Sequence, residues 1–355
     1  MKKFVFMASA ILLAGAAFFI FWYWRQPVKA EKVEAGFMVS RDGGANWSRP
    51  LFPLPLGRIL SDDVYDIFSD SRDPKTVYLG LRNYGVVKSY DGGADWKAVD
   101  ENNGIKLPLK VFKIAVAPYA PYPVYLAGYQ DEFGVVLKSE SVEPLFFREV
   151  YKTTRKHFGV FDILLDQVRP KRVLIATGEG AAAESMDGGS SWQVLHWFPD
   201  SIISLQGNAD LSWVTLLTLG GELWVSENGG RLWQKREVSG LTNLDLRSSR
   251  TFPVAASAQS FYLATSAGIF LSQKGSTLWV KLRSLFPPKS ERRAEAIAVD
   301  PRDNKRILAA YGREIYSSHD GGQSWSFVAA SKDGTIGTLE FIPGRPEIVF
   351  AGLEH

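Results

Sequence analysis

The octapeptide Ser89-Tyr-Asp-Gly-Gly-Ala-Asp-Trp96 recurs along this 355-residue chain. Each copy begins with serine and ends seven residues later with an aromatic residue. The two glycines supply positive φ angles, and the Asp carboxylate can accept hydrogen bonds from N–H groups further along, so the octapeptide is typical of a hairpin turn. The other clear copies are Ser40-Arg-Asp-Gly-Gly-Ala-Asn-Trp47, Ser185-Met-Asp-Gly-Gly-Ser-Ser-Trp192 and Ser318-His-Asp-Gly-Gly-Gln-Ser-Trp325, and the diverged copies are Ser226-Glu-Asn-Gly-Gly-Arg-Leu-Trp233, Ser272-Gln-Lys-Gly-Ser-Thr-Leu-Trp279 and Ser139-Glu-Ser-Val-Glu-Pro-Leu-Phe146.

The spacing of these turns predicts the architecture. Their serines are separated by 49, 50, 46, 41, 46 and 46 residues, which is the length of one four-stranded propeller blade. Two apolar segments, such as Val64–Phe68 and Thr76–Leu79, precede the strand that leads into each turn. Each unit therefore reads as an inner, a second and a third strand, the octapeptide turn, and an outer strand.

The two ends of the repeat region predict how the ring closes. Residues 34–50 supply a third strand, a turn and an outer strand, whereas residues 337–355 supply only a first and a second strand. Joining them completes a seventh unit and removes the exposed strand edges of an open ring. The sequence therefore predicts an all-β, seven-bladed propeller of four-stranded blades over residues 35–355, with the last blade shared between the chain ends.

Recurrence in register indicates that the turn residues are structural. We expect the acidic or amide group to hold the turn and the indole to pack across the hairpin. The absence of cysteine excludes disulfides and thiolate chemistry, and none of the four histidines has a partner at metal-ligand spacing, so no metal or cofactor is expected. The predicted structural residues are Asp42, Trp47, Asp91, Trp96, Asp187, Trp192, Asn228, Trp233, Trp279, Asp320 and Trp325.

An apolar run from Phe4 to Trp24 precedes the repeats and ends in a Trp-Tyr-Trp cluster. Twenty-one residues are long enough to cross a bilayer as a helix, and the aromatic cluster suits a membrane interface. We predict a membrane anchor over residues 1–24, joined to the propeller by a linker over 25–34. A cleaved secretory signal and a buried core helix are the alternatives. Basic residues flank both ends of the run, so charge alone does not orient it.

The octapeptides, at this spacing over residues 35–355, resemble the Asp-box (BNR) propeller families. These include sialidases, sortilin-type receptors, xyloglucan-cleaving glycosidases and photosystem II stability/assembly factors. The seven units and the chain length are most similar to the last group, which implies an extracytoplasmic, periplasmic or cell-surface propeller that binds proteins. The motif defines the blade and not the activity, because these families share it while doing different things.

The resemblance to enzymes is weaker when it is tested residue by residue. Sialidases carry a Phe/Tyr-Arg-Ile-Pro sequence, and the nearest matches here, around Arg58 and Arg345, lack that pattern. Glycoside hydrolysis requires two carboxylates at a defined separation. We therefore predict that the chain is not an enzyme and keep a carbohydrate-binding or sialidase-like hydrolase as the alternative. Its candidate carboxylates are Asp62, Asp63, Asp66, Asp162 and Asp166.

The segments that link each outer strand to the next inner strand are predicted to carry the binding surface. They are the longest connections, they lie opposite the octapeptide turns, and they hold 19 basic and 10 acidic residues, while the whole chain has a net charge of only +3. Such a face favours an acidic protein partner, soluble or membrane-embedded. An anionic glycan, a lipid surface or a solvated face without a ligand are the alternatives, and no nucleic acid is expected. The candidate binding residues are Arg148, Lys152, Arg155, Lys156, Arg247, Arg250, Arg283, Lys289, Arg292 and Arg293.

Overall fold

A computed structural model describes residues 31–141, 143, 145–238, 250–253, 260–273, 276, 278–283 and 293–355. The predicted membrane anchor, residues 25–30 of the linker, and the candidate binding residues Arg247, Lys289 and Arg292 lie outside this part of the chain. From residue 31 onward, no described helix has the length and hydrophobicity that crossing a bilayer requires.

The described chain begins with three short strands and one helix. These are β1 (Lys32–Glu34), β2 (Phe37–Ser40), β3 (Leu51–Pro53) and α1 (Leu56–Leu60).

Six four-stranded antiparallel sheets follow, and in each sheet the strands are ordered from inner to outer as they occur in the chain. The first blade contains β4 (Val64–Ser69), β5 (Val77–Leu81), β6 (Val86–Ser89) and β7 (Lys97–Val99). The second contains β8 (Lys110–Val116), β9 (Val124–Gln130), β10 (Phe133–Ser139) and β11 (Phe147–Lys152). The third contains β12 (Val160–Leu165), β13 (Val173–Thr177), β14 (Ala181–Ser185) and β15 (Gln193–Trp197).

The next three sheets repeat this arrangement. The fourth blade contains β16 (Ile202–Gly207), β17 (Val214–Thr218), β18 (Leu223–Ser226) and β19 (Gln234–Arg236). The fifth contains β20 (Arg250–Pro253), β21 (Ser260–Thr265), β22 (Gly268–Gln273) and β23 (Val280–Lys281). The sixth contains β24 (Ala296–Asp300), β25 (Asp303–Tyr311), β26 (Glu314–Ser318) and β27 (Ser326–Ala330).

The seventh blade is shared between the two ends of the described chain. Strands β28 (Thr335–Ile342) and β29 (Arg345–Glu354) come from one end, and β2 from the other end pairs with β29, Val39 lying opposite Phe350. Each inner strand contacts the inner strands of its two neighbours, and β28 contacts β4, so the ring is closed. The predicted seven-bladed propeller with a shared blade is confirmed.

The outer edge of the seventh blade differs from the prediction. Only the bridge between Val39 and Ser48 represents its fourth strand, because the following residues form β3, which pairs with β1. The predicted linker therefore ends in an ordered strand, Lys32–Glu34. We call residues 31–34 and 51–60, which contain β1, β3 and α1, the clasp. Its buried Phe52 and Leu60 pack in one cluster with Val64 of the first blade and Phe350 of the seventh, so the clasp packs over the junction between these two blades.

The hydrophobic core consists of the interfaces between neighbouring blades. Second and third strands are almost wholly buried, as in β5 and β13 among the second strands and β6 and β14 among the third. These strands are rich in Val, Ile, Leu and Ala, as expected for strands with both faces covered. The inner strands leave one edge free, and these edges line a central channel.

Candidate functional site: the loop face and the central channel

The propeller has two unlike faces. The octapeptide turns and the loops between first and second strands lie on one face, which we call the turn face. In the first blade, for example, the Gly92 amide of the octapeptide turn donates to the Lys75 carbonyl in a 2.8 Å hydrogen bond. The links from outer to next inner strand, and the hairpins between second and third strands, lie on the opposite face, which we call the loop face.

The residues that recur in the octapeptide turns form a repeated hydrogen-bond network. Ser185 Oγ donates to Asp187 Oδ1 over 2.8 Å and accepts from the Gly189 amide over 2.7 Å. Asp187 Oδ1 also accepts from the Ser191 amide. The turns at Asp42, Asp91, Asn228 and Asp320 repeat these contacts. In Asp42, Asp187 and Asp320 both carboxylate oxygens accept hydrogen bonds from within the turn, which supports a structural role.

These hydrogen bonds also lower the pKa values of the turn carboxyl groups. The amide and side chain of Asn46, with the Ser40 hydroxyl, hold the pKa of Asp42 at about 2. The Ser191 hydroxyl and amide lower the pKa of Asp187 in the same way. A carboxylate that accepts several hydrogen bonds is favoured in its ionised form. The aspartates of these turns therefore stay ionised at neutral pH while they accept hydrogen bonds from the turn.

The indoles of the turns join blades rather than only closing their own hairpins. Trp96 of the first blade packs edge-on against Phe37 of the seventh, with ring centroids 5.6 Å apart. Trp192 Nε1 donates to the Val150 carbonyl of the preceding blade over 2.8 Å. In the diverged second turn, Phe146 stands at the aromatic position but is 60% exposed, and the neighbouring Phe147 is buried instead. The expected packing of the indole across its own hairpin omitted this inter-blade contact.

Two arginines, the buried Arg172 and the partly buried Arg306, provide a second connection between blades at the turn face. The Arg172 side chain is 1% exposed. It pairs with Asp166 at 3.2 Å and with Glu184 at 2.6 Å, and it donates to the Gly229 carbonyl of the next blade over 2.6 Å. Arg306 pairs with Asp300 and reaches the Gly43 carbonyl in an equivalent way. Sequence reasoning missed this network, although an acidic residue at the end of the first strand recurs.

The central channel contains a cavity of about 890 Å³, lined by inner strands of the first four, the sixth and the seventh blades. Three residues at equivalent bulged positions of neighbouring inner strands are Asp66, Lys113 and Asp162. Lys113 Nζ lies 2.9 Å from Asp66 Oδ1, and the Lys113 side chain is 36% exposed to the channel. We call Asp66, Lys113 and Asp162 the charged layer. It lies inside the ring, and the channel leaves it open to small molecules.

The channel carboxylates serve as links between neighbouring blades. Asp66 Oδ2 accepts from the Ile114 amide of the second blade over 2.8 Å, and Asp162 Oδ2 accepts from the Leu205 amide of the fourth blade over 2.9 Å. Burial raises the pKa of Asp162 to about 6 and that of Glu340, deeper in the channel, to about 8. Because the oxygens of Asp66 and Asp162 already hold the ring together, this pair is better explained as structural than as an acid and a nucleophile.

The remaining candidate carboxylates are also engaged. Asp62 accepts from Asn83, Asp63 pairs with Arg82 at 2.8 Å and with His355, and Asp166 belongs to the Arg172 network. No group of three or more His, Cys, Asp or Glu side chains able to hold a metal ion occurs among the residues that the structure describes.

Three aromatic side chains lie along one side of the loop-face mouth of the channel. Tyr65, Phe112 and Phe161 immediately precede the charged layer on three neighbouring inner strands, and we call them the aromatic arc. Their ring centroids are separated by 5.6 Å and 5.0 Å. All three are half-buried, so each presents part of a ring at the mouth. The loop face therefore has aromatic side chains at the channel mouth and charged side chains on the links and hairpins around it.

The structure brings together only part of the predicted basic set. Lys152, Arg155 and Lys156 lie on or just after the loop-face end of β11, where Lys156 pairs with Glu132 at 2.6 Å and Lys152 Nζ lies 4.5 Å from the Phe133 ring centroid. Arg155 donates to the Glu179 carbonyl over 3.0 Å. Arg148 instead lies at the turn-face end of β11, opposite Lys138, and pairs with Glu140 at 2.7 Å. It is not part of the loop face.

The other predicted basic residues lie further around the ring. Arg250 begins the inner strand β20, Arg283 is exposed after β23, and Arg293 is exposed and pairs with Glu295. The strong positive charge expected for the loop face is also reduced. The hairpins between second and third strands lie on that face and carry Asp131, Glu132 and Glu179, which pair with Lys106, Lys156 and Arg155. The expectation counted only the other set of links and so missed these acids.

The fold and the two faces define the chain as a seven-bladed β-propeller. It matches no known protein family profile and no curated protein sequence. Among solved structures it is similar to YCF48 from Cyanidioschyzon merolae, with 14% identity, a TM-score of 0.64, and coverage of 82% of this chain and 96% of that one. A structure of YCF48 bound to D1 peptide matches with 15% identity, a TM-score of 0.61, and coverage of 83% and 94%.

The propeller is also similar to a GH74 xyloglucanase from Xanthomonas campestris, with 19% identity and a TM-score of 0.63. The match covers 82% of this chain but 51% of the xyloglucanase, so this chain spans about half the length of that enzyme. At these identities the similarities establish the fold and leave the activity open.

Proposed function

We propose that this chain is a membrane-tethered, extracytoplasmic Asp-box propeller that binds a protein partner through its loop face, in the manner of an assembly factor, and that it is not an enzyme. Residues 1–24 serve as the membrane anchor. The contact surface consists of the aromatic arc at the channel mouth and the surrounding polar hairpins. The Lys152–Lys156 segment contributes the cationic part of this surface.

The extent of the match to YCF48 carries the proposal. This chain covers nearly the whole of that protein, and a structure of the same protein holds a peptide. In contrast, about half of the xyloglucanase has no counterpart here. The channel carboxylates Asp66 and Asp162 are engaged between blades, which supports binding rather than glycoside hydrolysis.

The loop face suits a mixed polar and apolar partner more than a purely acidic one. Lys106, Lys156 and Arg155 pair with Asp131, Glu132 and Glu179, so at these positions a partner carboxylate has to compete with an existing ion pair. The pairs of Lys106 and Lys156 are exposed on both sides, and such pairs are weak, at about 0–1 kcal/mol, and exchange readily. The aromatic arc adds apolar area, which contributes more to affinity than rim charges do.

Charge reversal on matched faces tests the proposal. The full chain is purified from its native membranes as wild type, as Lys152→Glu/Lys156→Glu on the loop face, and as Lys171→Glu/Arg231→Glu on the turn face, which changes the net charge equally. All four lysine and arginine side chains are exposed. We expect the loop-face variant to lose the co-purifying partner at least tenfold and the turn-face variant to retain it. Equal retention in both variants contradicts the proposal.

A glycan panel that includes xyloglucan and sialosides tests the alternative. Turnover that disappears in Asp66→Asn or Asp162→Asn, with the fold intact by circular dichroism, would establish a hydrolase. We expect no turnover by the wild type.

A further inference from the structure

The clasp is an outward continuation of the seventh blade. Within the blade, Val39 is bridged to Ser48. The same two chain segments stay paired beyond the blade, where the Ala35 amide donates to the Pro50 carbonyl over 2.9 Å and Lys32 lies opposite Pro53. This ribbon leaves the ring on the loop face, so the described chain starts at the tip of a projection from that face.

The projection carries two exposed leucines, Leu54 at its tip and Leu51 nearer the blade. Its central residue Phe52 is 8% exposed and belongs to the core, whereas Leu51 and Leu54 are 54% and 44% exposed. The Leu54 amide donates to the Glu31 carbonyl over 3.3 Å, so Leu54 lies beside the point where the preceding segment enters, while Leu51 lies opposite Glu34. The exposed Arg58 follows in α1.

The length of the preceding chain limits which face can approach a membrane. Trp24 ends the apolar run and Glu31 begins the described chain. Seven steps of at most about 3.6 Å reach about 25 Å in any conformation. Strand β29 runs from the turn face to the loop face in ten residues, which is about 30 Å at roughly 3.3 Å per residue. The projecting ribbon adds to this distance, so a turn face lying on the bilayer would hold the clasp beyond the reach of the tether.

We propose that the clasp docks on the lipid bilayer through Leu51 and Leu54, with Arg58 at the headgroups, and so fixes the loop face toward the membrane. This inference rests on the membrane anchor in the proposed function. It implies that the partner is bound at the membrane side of the propeller, in a membrane protein or beside one. Exposure alone does not predict this contact, because Leu232 and Leu278 of the turn face are 71% and 70% exposed and face away from the bilayer.

Single-cysteine labelling tests the orientation. The chain has no cysteine, so Leu51→Cys, Leu54→Cys, Leu232→Cys and Leu278→Cys each give one labelling site in the full chain. Each variant is labelled with an environment-sensitive fluorophore and reconstituted into vesicles of phosphatidylcholine and phosphatidylglycerol. Quenching by doxyl lipids is compared with quenching by aqueous iodide. We expect several-fold stronger lipid quenching at positions 51 and 54 than at 232 and 278, and the reverse order for iodide.

Vesicle flotation separates the two possible failures. If the full chain does not float with the vesicles, residues 1–24 do not anchor it to a membrane, and this inference fails together with the proposed anchor. If it floats but positions 51 and 54 are as accessible to iodide as 232 and 278, the anchor stands and the docking of the clasp is wrong. Protection of positions 51 and 54 that appears only when the native partner is added would assign the clasp to protein contact and likewise overturn lipid docking.

Discussion

Replacement of Arg172 is expected to weaken the ring between the third and fourth blades. Its side chain is 1% exposed, the Asp166 side chain is 0% exposed and the Glu184 side chain is 6% exposed. Arg172→Ala leaves two buried carboxylates without their shared cation and the Gly229 carbonyl without its donor. Breaking a buried ion pair by removing one partner costs about 3–5 kcal/mol. Asp166 keeps Arg169 at 2.7 Å, so the larger share of this cost falls on Glu184.

Equilibrium urea unfolding of the full chain in detergent, followed by tryptophan fluorescence, measures this cost. We expect Arg172→Ala to lose about 3–5 kcal/mol and Arg172→Met/Glu184→Gln to lose much less, because the double variant removes the stranded charge while filling the space. As a control of the same charge change, Arg231→Ala at the exposed turn face should lose under about 0.5 kcal/mol. A loss below about 1 kcal/mol for Arg172→Ala, or equal losses for the single and double variants, would refute the account of this network.

Further predictions concern the channel, the blade interior and the clasp. Burial places the folded-state pKa of Glu340 at about 8, above its ordinary value of 4.5, so its contribution to stability is retained below about pH 4.5 and lost as the pH rises to about 8; Glu340→Gln should flatten this fall in unfolding free energies measured at pH 5 and 8.5. Gly128→Ala would push a Cβ into the Lys110 carbonyl oxygen, and we expect a loss of about 1–3 kcal/mol in urea unfolding; an unchanged midpoint would contradict the close approach. Arg49→Ala removes the contacts with Glu34, Asp333 and the Ala35 carbonyl; hydrogen exchange of the β1 and β3 amides should quicken by a factor corresponding to about 1 kcal/mol, while β13 amides keep their rates.

The fold was predictable because its signal is local and repeated. The octapeptide fixes a hairpin, its spacing fixes the blade, and the half-units at residues 34–50 and 337–355 fix the closure. The clasp was not predictable, because three-residue strands such as β1 and β3 form only where another segment offers an edge. The pairing of Leu51–Pro53 with Lys32–Glu34 in place of an outer blade strand depends on that tertiary contact.

The sequence predicted which face carries the basic links, but not the net charge of that face. The links that carry Lys152 and Lys156 do lie on the loop face. Lys156 pairs with Glu132 and the neighbouring Arg155 pairs with Glu179, and these acids lie on hairpins that are distant in the sequence and adjacent only in the folded ring. Arg148 was assigned to the same surface because it is close in sequence to Lys152, yet the strand between them spans the blade and carries the two side chains to opposite faces.

Photo-cross-linking from matched positions in native membranes shows whether the loop face is the binding surface. A benzophenone amino acid is placed at Lys156 or Leu219 on the loop face and at Lys171 or Leu232 on the turn face, all of them exposed. If the loop face holds the partner, positions 156 and 219 give one dominant protein adduct and positions 171 and 232 give none. The same adduct from the turn-face positions, with none from the loop face, would contradict it.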